Sequence, residues 1–357
     1  MNTDFRPRGL AAWIGSLPMD NHDEAVKVML EYTPDIPIWV QLPKFAAEGM
    51  VAQFARGMPG LARKEGRMFV DAGDESFDEA MVDFFEAYMA VTEGGEDIAD
   101  SRFALHQDEA PGFFTFMREL DQRADKPAAV KGQVTGPFTF GTGLVDDAGR
   151  TVFYNEHVRD AAVKLIAMKA RWQVNQLKKY GVPVIVFLDE PALAGFGSSA
   201  FISVSRDEID ACFAEVIAAI HEEGGLAGVH VCANAEWSVI LDSEADIVSF
   251  DAFSYFDKFI LYADSLRRFL ESGRILAWGI VPTSDTAAIA SQSAESLYEL
   301  WQEEVKQVEA LGFDRQQVVS QSLITPSCGT GALSMDHAMQ VIDMNHGLSK
   351  RIRGEQS

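Results

Sequence analysis

One short segment of the chain places an imidazole next to a thiol: His230, Val231 and Cys232 follow one another. If this segment is a β-strand, residues two apart project to the same side, so His230 and Cys232 converge while Val231 faces away. A thiolate beside an imidazole is a natural beginning for a zinc site. Cys328 ends a later strand-like run and could supply a second thiolate. We therefore predict that His230, Cys232 and Cys328 bind Zn²⁺.

Other interpretations of these residues stay open at this level. A buried histidine and a buried free cysteine need no metal, and no two-pair cysteine pattern supports a closed structural zinc site. Asp251, in the run after His230, is predicted as a fourth ligand, with a hydrogen bond beside the metal or to the substrate as the alternative. Cys212 lies among apolar residues at helical spacing, which predicts a place in the core.

Polar residues also occur at the ends of other apolar runs. Gln133 lies near the end of one run, and Asp189 and Glu190 lie at the end of the next. In barrels of parallel strands the active site is built at the C-terminal ends of the strands. We predict a pocket there, with Gln133 in substrate binding and Asp189 and Glu190 in catalysis. Helix capping by the acidic pair is the alternative.

The elements that must position these residues repeat along the chain. Helical segments fall between apolar runs rich in Val, Ile and Phe, and eight such runs fit a parallel barrel better than an open sheet. The runs are 10–18, 36–43, 129–137, 182–191, 226–232, 245–253, 274–282 and 317–329, and the clearest helical segments are 77–92, 154–180, 206–223, 256–271, 294–311 and 335–349. This pattern predicts an α/β fold: a single (β/α)8 TIM barrel over residues 1–357, with extra helices inserted near 50–125.

Composition limits the partners and the compartment. The 357 residues include 54 acidic and 30 basic side chains, for a net charge of −24. Such a chain is repelled by nucleic acid and by anionic membranes, so we expect neither as a partner. Three cysteines are too few for a disulfide scaffold. With no signal-peptide pattern and no long apolar run, they predict a cytoplasmic protein.

Several motifs together resemble a known enzyme family. They are WIGSLP (13–18), DEPAL (189–193), HVC (230–232), ADIVSFD (245–251) and PSCG (326–329). The chain resembles, over nearly its whole length, the C-terminal catalytic barrel of cobalamin-independent methionine synthase. That barrel belongs to a superfamily with uroporphyrinogen decarboxylase and the zinc methyltransferases that act on methylated corrinoid proteins. HVC with the late Cys-Gly is the most specific part of the resemblance.

The resemblance implies roles for particular residues. The zinc ligands of the family match His230, Cys232 and Cys328, and its glutamate ligand matches Asp251, which is one methylene shorter. The positions that hold homocysteine in the synthase match Asp189 and the backbone of Ile14, Gly15 and Ser16.

The departures from the family also carry information. The synthase has a histidine that protonates folate, whereas the corresponding segment 278–282 has none, and a homocysteine-binding glutamate is missing from segment 50–53. The resemblance therefore implies a methylated corrinoid, carried by a partner protein, rather than methyl-folate as the donor.

These observations predict a zinc-dependent methyl or alkyl transferase that activates homocysteine or another small thiol. Two alternatives of other classes remain. One is a metal-independent enzyme like uroporphyrinogen decarboxylase. Segment 38–44, however, lacks the arginines with which that enzyme binds its polycarboxylate substrate. The other is a barrel without catalysis that binds zinc or a thiol.

Overall fold

The computed structural model describes residues 5–354, in which the strands form one large parallel sheet and one small hairpin. The large sheet has seven strands in the order β1-β9-β8-β7-β6-β5-β4, and β2 pairs with β3 in antiparallel fashion. The strands are β1 (Leu10–Ala11), β2 (Leu61–Lys64), β3 (Arg67–Val70), β4 (Val130–Thr135), β5 (Val184–Asp189), β6 (Leu226–Val231), β7 (Ile247–Phe250), β8 (Ile275–Val281) and β9 (Ser322–Pro326).

The run 36–43 does not form the eighth regular strand that the sequence predicts. Ile38 makes a single parallel bridge to Lys131 of β4, and Gln41 makes another to Ser16, just after β1. Pro37, at the start of this segment, has no N–H to donate, although its carbonyl accepts a hydrogen bond from the N–H of Lys131. The prediction of a parallel α/β sheet is confirmed, whereas regular pairing covers seven strands and a full eight-stranded barrel is not confirmed.

Helices cover the sheet between the strands. They are α1 (His22–Tyr32), α2 (Phe77–Thr92), α3 (Pro111–Asp121), α4 (Pro137–Gly143), α5 (Glu156–Leu177), α6 (Arg206–Glu222), α7 (Ser238–Leu241), α8 (Ala252–Phe259), α9 (Ala263–Glu271), α10 (Thr286–Ser291), α11 (Ala294–Glu309), α12 (Arg315–Ser320) and α13 (Met335–Ile352). Across residues 5–354, no helix combines the length and the apolar character needed to cross a membrane.

Three differences from the predicted elements stand out. The segment 256–271 is not one helix but parts of two, α8 and α9, and the run 317–329 begins inside α12 rather than in a strand. The inserted region 50–125 contains the predicted extra helices, α2 and α3, and also the hairpin of β2 and β3. The single domain over 1–357 stays a prediction.

Successive side chains of the central strands point to opposite faces of the sheet, and this divides the apolar core into two clusters. On β5, Ile185 and Phe187 belong to the inner cluster, while Val186 and Leu188 pack in the larger outer cluster beneath the helices. Residues two apart on a strand share a face, so Asp189 continues the inner face that Ile185 and Phe187 begin. The C-terminal ends of the strands therefore turn polar side chains toward the interior of the curled sheet.

Candidate metal centre

Three potential metal ligands from distant parts of the chain meet at one end of the sheet. His230 belongs to β6, Cys232 follows it by two residues, and Cys328 lies in the loop after β9. One ligand atom from each lies within 4.8 Å of those of the other two. The structure thus brings together the three residues that the sequence predicts as ligands.

The histidine has one nitrogen bonded and one nitrogen free. Its Nδ1 lies 2.9 Å from Oγ of Ser249 on β7, whereas the buried Nε2 has no hydrogen-bond partner among residues 5–354. A buried polar atom without a partner is unfavourable. An imidazole held at one nitrogen by a neighbour and open at the other is typical of a metal ligand. His230, Cys232 and Cys328 therefore fit a zinc ion by geometry and by donor type.

The two thiols are coupled to each other. A hydrogen bond from Cys328, assisted by His230, lowers the pKa of Cys232 despite its burial. The same hydrogen bond and the burial of Cys328 raise the pKa of its thiol. The protein alone thus favours one thiolate next to one thiol, and a divalent cation is the charge that would stabilise two thiolates here.

Ser249 should matter for metal affinity although it is not a ligand. Because its hydroxyl orients the ring of His230, we expect Ser249→Ala to weaken zinc binding about 10- to 100-fold. Competition with a chelator measures the change. Ser322→Ala is a matched control, since Ser322 is a buried strand serine that contacts Trp278 instead. Equal zinc affinity in wild type and Ser249→Ala would contradict the expectation.

Asp251 does not join the three ligands. Its carboxylate caps α8 by accepting a 2.8 Å hydrogen bond from the backbone N–H of Ser254. Burial, with a contribution from Cys232, raises its pKa. One oxygen of this short side chain is thus held by the start of its own helix, as expected for the alternative of a residue beside the metal site, and Asp251 as a fourth ligand stays a prediction.

A second carboxyl group near Asp251 was not singled out from the sequence. Glu304 of α11 is buried, and its Oε2 has no partner in the part of the chain that the structure describes. Burial, with a contribution from Asp251, raises the pKa of Glu304 to about 9. The only sequence signal was a charged residue on the apolar face of a helix.

A cavity of about 410 Å³ opens beside the three ligands. Its wall includes His230, Cys232 and Cys328 together with four residues predicted to bind substrate: Ile14, Gly15, Ser16 and Asp189. The sequence therefore located this cavity from residues that are far apart in the chain.

The loop that carries Cys328 is fixed against Ser16. The backbone N–H of Thr330 donates to the carbonyl of Ser16, and the N–H of Gly331 donates to its hydroxyl. A side chain at Gly329 would place its Cβ 2.5 Å from that hydroxyl oxygen, so only glycine permits this approach. The predicted substrate-binding segment and one predicted ligand thus form a single rigid unit.

Asp189 offers an acceptor to the cavity. Its Oδ1 has no hydrogen-bond partner among the described residues. Burial raises the pKa of this carboxyl, against the opposing effect of His230 and Lys131. A Cβ built on Gly15, another residue of the cavity wall, would lie 3.9 Å from Oδ2, so Oδ2 rather than the buried Oδ1 is the oxygen nearer the cavity.

The other two predicted residues lie outside the cavity wall. Glu190 is fully buried and accepts hydrogen bonds from the backbone N–H of Phe138 and from the N–H and hydroxyl of Thr139, at the start of α4. These contacts favour the helix-capping alternative over a catalytic role. Gln133 is also fully buried, and its amide donates to the carbonyl of Trp39 rather than facing the cavity.

One cavity residue was missed by sequence reasoning. Glu48 lines the cavity, and its carboxylate contacts Nε2 of His22 at 2.7 Å and accepts a hydrogen bond from the N–H of Leu42. It lies just before segment 50–53, where this chain lacks the homocysteine-binding glutamate of the family that it resembles. Nothing in the local sequence distinguished Glu48 from other acidic residues of this acidic chain.

Comparison with known proteins supports the fold. No protein-family model matches the chain, and neither does any curated protein. Among solved structures it is similar to a B12-independent methionine synthase from Shewanella sp. W3-18-1 in complex with selenomethionine, with 16% identity, a TM-score of 0.57 and coverage of 97% of this chain and 98% of that one. It is also similar to a methyltransferase from Methanosarcina mazei, with 12% identity, a TM-score of 0.52 and coverage of 91% and 84%. The resemblance seen in the sequence is thus confirmed at the level of the fold, which this chain shares with a methionine synthase and a methyltransferase.

Proposed function

We propose that this protein is a zinc-dependent methyltransferase that transfers a methyl group to a small thiol. The observation that carries the proposal is the position of His230, Cys232 and Cys328 in the wall of the cavity. Three protein ligands leave one position of a tetrahedral zinc ion for a substrate, which is the pattern of catalytic rather than structural sites. Of the two structural neighbours named above, one is described as a methionine synthase and the other as a methyltransferase.

Zinc, when bound by these residues, would lower the pKa of a substrate thiol, whose ordinary value is about 8.5. Residues of the chain itself would bind and orient the substrate. Ile14, Gly15 and Ser16 line the cavity with backbone and hydroxyl groups, and the carboxylate of Asp189 in the same wall would accept hydrogen bonds from an ammonium group. These contacts suit a thiol that also carries an amine, such as homocysteine.

We further propose a methylated corrinoid, presented by a partner protein, as the donor. Segment 278–282 belongs to or follows β8, contains no histidine, and includes the fully buried Trp278 and Ile280. Transfer from a corrinoid needs no proton donor for the leaving group, whereas transfer from methyl-folate does. The absence of an acid in this segment therefore favours the corrinoid.

The decarboxylase alternative finds no support at the cavity. No Arg or Lys is among the residues of 5–354 that line it, whereas a polycarboxylate substrate requires cations. A barrel that binds a thiol without catalysis has the same wall as an enzyme, so turnover is what separates these two functions.

The test is an anaerobic assay with free methylcobalamin. We expect zinc-loaded protein to demethylate methylcobalamin when homocysteine is added, with formation of cob(I)alamin followed by absorbance and the thioether followed by mass spectrometry. Protein stripped of zinc should be inactive and should recover when zinc is restored. A zinc-replete protein that demethylates methylcobalamin with none of a panel of thiols would contradict the proposed donor, and one that binds thiols without any turnover would support the non-catalytic barrel.

A further inference from the structure

A lysine is buried in the interior of the sheet, below the cavity. Lys131 of β4 has 1% of its surface exposed, and its Nζ has no hydrogen-bond partner in the described chain. The Nζ lies 4.0 Å from the centre of the Phe187 ring. A buried ammonium is unfavourable unless an opposite charge compensates it, so its surroundings need an explanation.

The neighbouring strands make room for this arrangement. Phe187 fills the space beside Gly228 of β6, where a Cβ would lie 2.3 Å from the ring. Asp189 lies two residues after Phe187 and therefore on the same inner face of β5. The ammonium of Lys131 and the carboxylate of Asp189 are thus charges of opposite sign that share the interior of the sheet.

The Nζ of Lys131 and the Oδ1 of Asp189 are both buried, and neither has a hydrogen-bond partner among the described residues. Burial lowers the pKa of Lys131 to about 8, and Asp189 opposes this effect. Because water is excluded from the interior of the sheet, opposite charges that are not in contact attract each other more strongly there than in solvent.

We propose that Lys131 is a positioning residue, whose charge holds the carboxylate of Asp189 at the cavity wall with one oxygen available to the ammonium group of an aminothiol. The inference rests on the proposed function. Without Lys131 the carboxylate would lose one of the charges that oppose its burial, so it would turn toward other donors or toward solvent. Binding of a thiol that carries an ammonium group would weaken, whereas binding of a thiol without one would not.

The first test needs no substrate and measures the charge pair alone. Unfolding of wild type, Lys131→Met, Asp189→Asn and the double variant forms a double-mutant cycle. We expect the effects on the unfolding equilibrium constant to deviate from additivity by tenfold or more. Lys169→Met is the matched control, because Lys169 of α5 is equally buried and its Nζ also lacks a partner, but its charged neighbours are Glu109 and Arg56. Additive effects for Lys131 and Asp189, within about twofold, would overturn the inference.

The second test measures binding by calorimetry with two probes, cysteamine and 2-mercaptoethanol. In zinc-loaded protein, we expect Lys131→Met to weaken the binding of cysteamine tenfold or more and the binding of 2-mercaptoethanol less than twofold. Lys169→Met should change neither affinity. Equal weakening of both thiols, or binding of neither thiol by wild type, would overturn the positioning role. A wild type that binds in the expected pattern but transfers no methyl group would refute the proposed function and leave this inference standing.

Discussion

Cys232→Ser and Cys328→Ser should each abolish methyl transfer to the thiol and weaken zinc binding by more than about 100-fold. The estimate is a lower bound, because loss of a residue that merely supports a ligand already reduces metal affinity 10- to 100-fold. Serine keeps the size of the side chain but is not a thiolate, so the site loses both a bond and a negative charge. Metal analysis after dialysis and the methylcobalamin assay measure the two effects.

Cys212→Ser provides the control for these variants. Cys212 is the remaining cysteine of the chain, it lies on α6 with its side chain buried in the outer core, and it is not part of the group of three potential ligands. We expect this variant to keep its zinc and its activity, with at most a modest loss of stability. Full zinc content and turnover in Cys232→Ser would remove the basis of the proposed function.

The second large effect is expected on stability, from Glu190→Ala. The substitution leaves three buried donors of Phe138 and Thr139 without an acceptor. Hydrogen bonds to a charged acceptor contribute roughly 1.5–3 kcal/mol each, partly offset because a buried charge is removed, so we expect a loss of about 4 kcal/mol in the free energy of unfolding. Urea denaturation measures it.

Glu208→Ala is the matched control for Glu190, since Glu208 also caps a helix but is partly exposed. Its loss should reduce stability by only about 1 kcal/mol. The pair of measurements also decides between the two interpretations of Glu190. A large loss of kcat with unchanged stability would restore the catalytic role predicted from sequence, whereas a large loss of stability with activity retained below the melting temperature would establish the capping role.

The sequence predicted that His230, Cys232 and Cys328 lie together because their placement depends on simple geometry. His230 and Cys232 share a face through strand alternation, and Cys328 lies at the same end of a parallel sheet. The resemblance added Ile14–Ser16 and Asp189, which all line the cavity. Both lines of reasoning use positions along strands, which alternation and parallel pairing fix strongly.

Predictions that depended on the direction of one side chain at a strand end succeeded less often. Asp251 and Glu190 both lie next to the start of a helix, where free backbone N–H groups compete for a carboxylate, and the structure gives both to such groups. Gln133 was chosen for its place near the end of β4, but its amide meets the carbonyl of Trp39. The sequence does not reveal which of the nearby donors and acceptors forms the hydrogen bond with each of these side chains.

The contact between Ser16 and the loop of Cys328 has a consequence for how the protein is made. β1 pairs directly with β9, and the proposed ligands come from β6, the residue just after it and the loop after β9, so the set is complete only late in the chain. During synthesis, a nascent chain in which residue 328 has not yet been translated contains only two of the three potential metal ligands. If these residues bind zinc as proposed, metal acquisition would follow translation of that loop, and a chain stalled upstream of it would lack one of the three proposed ligands.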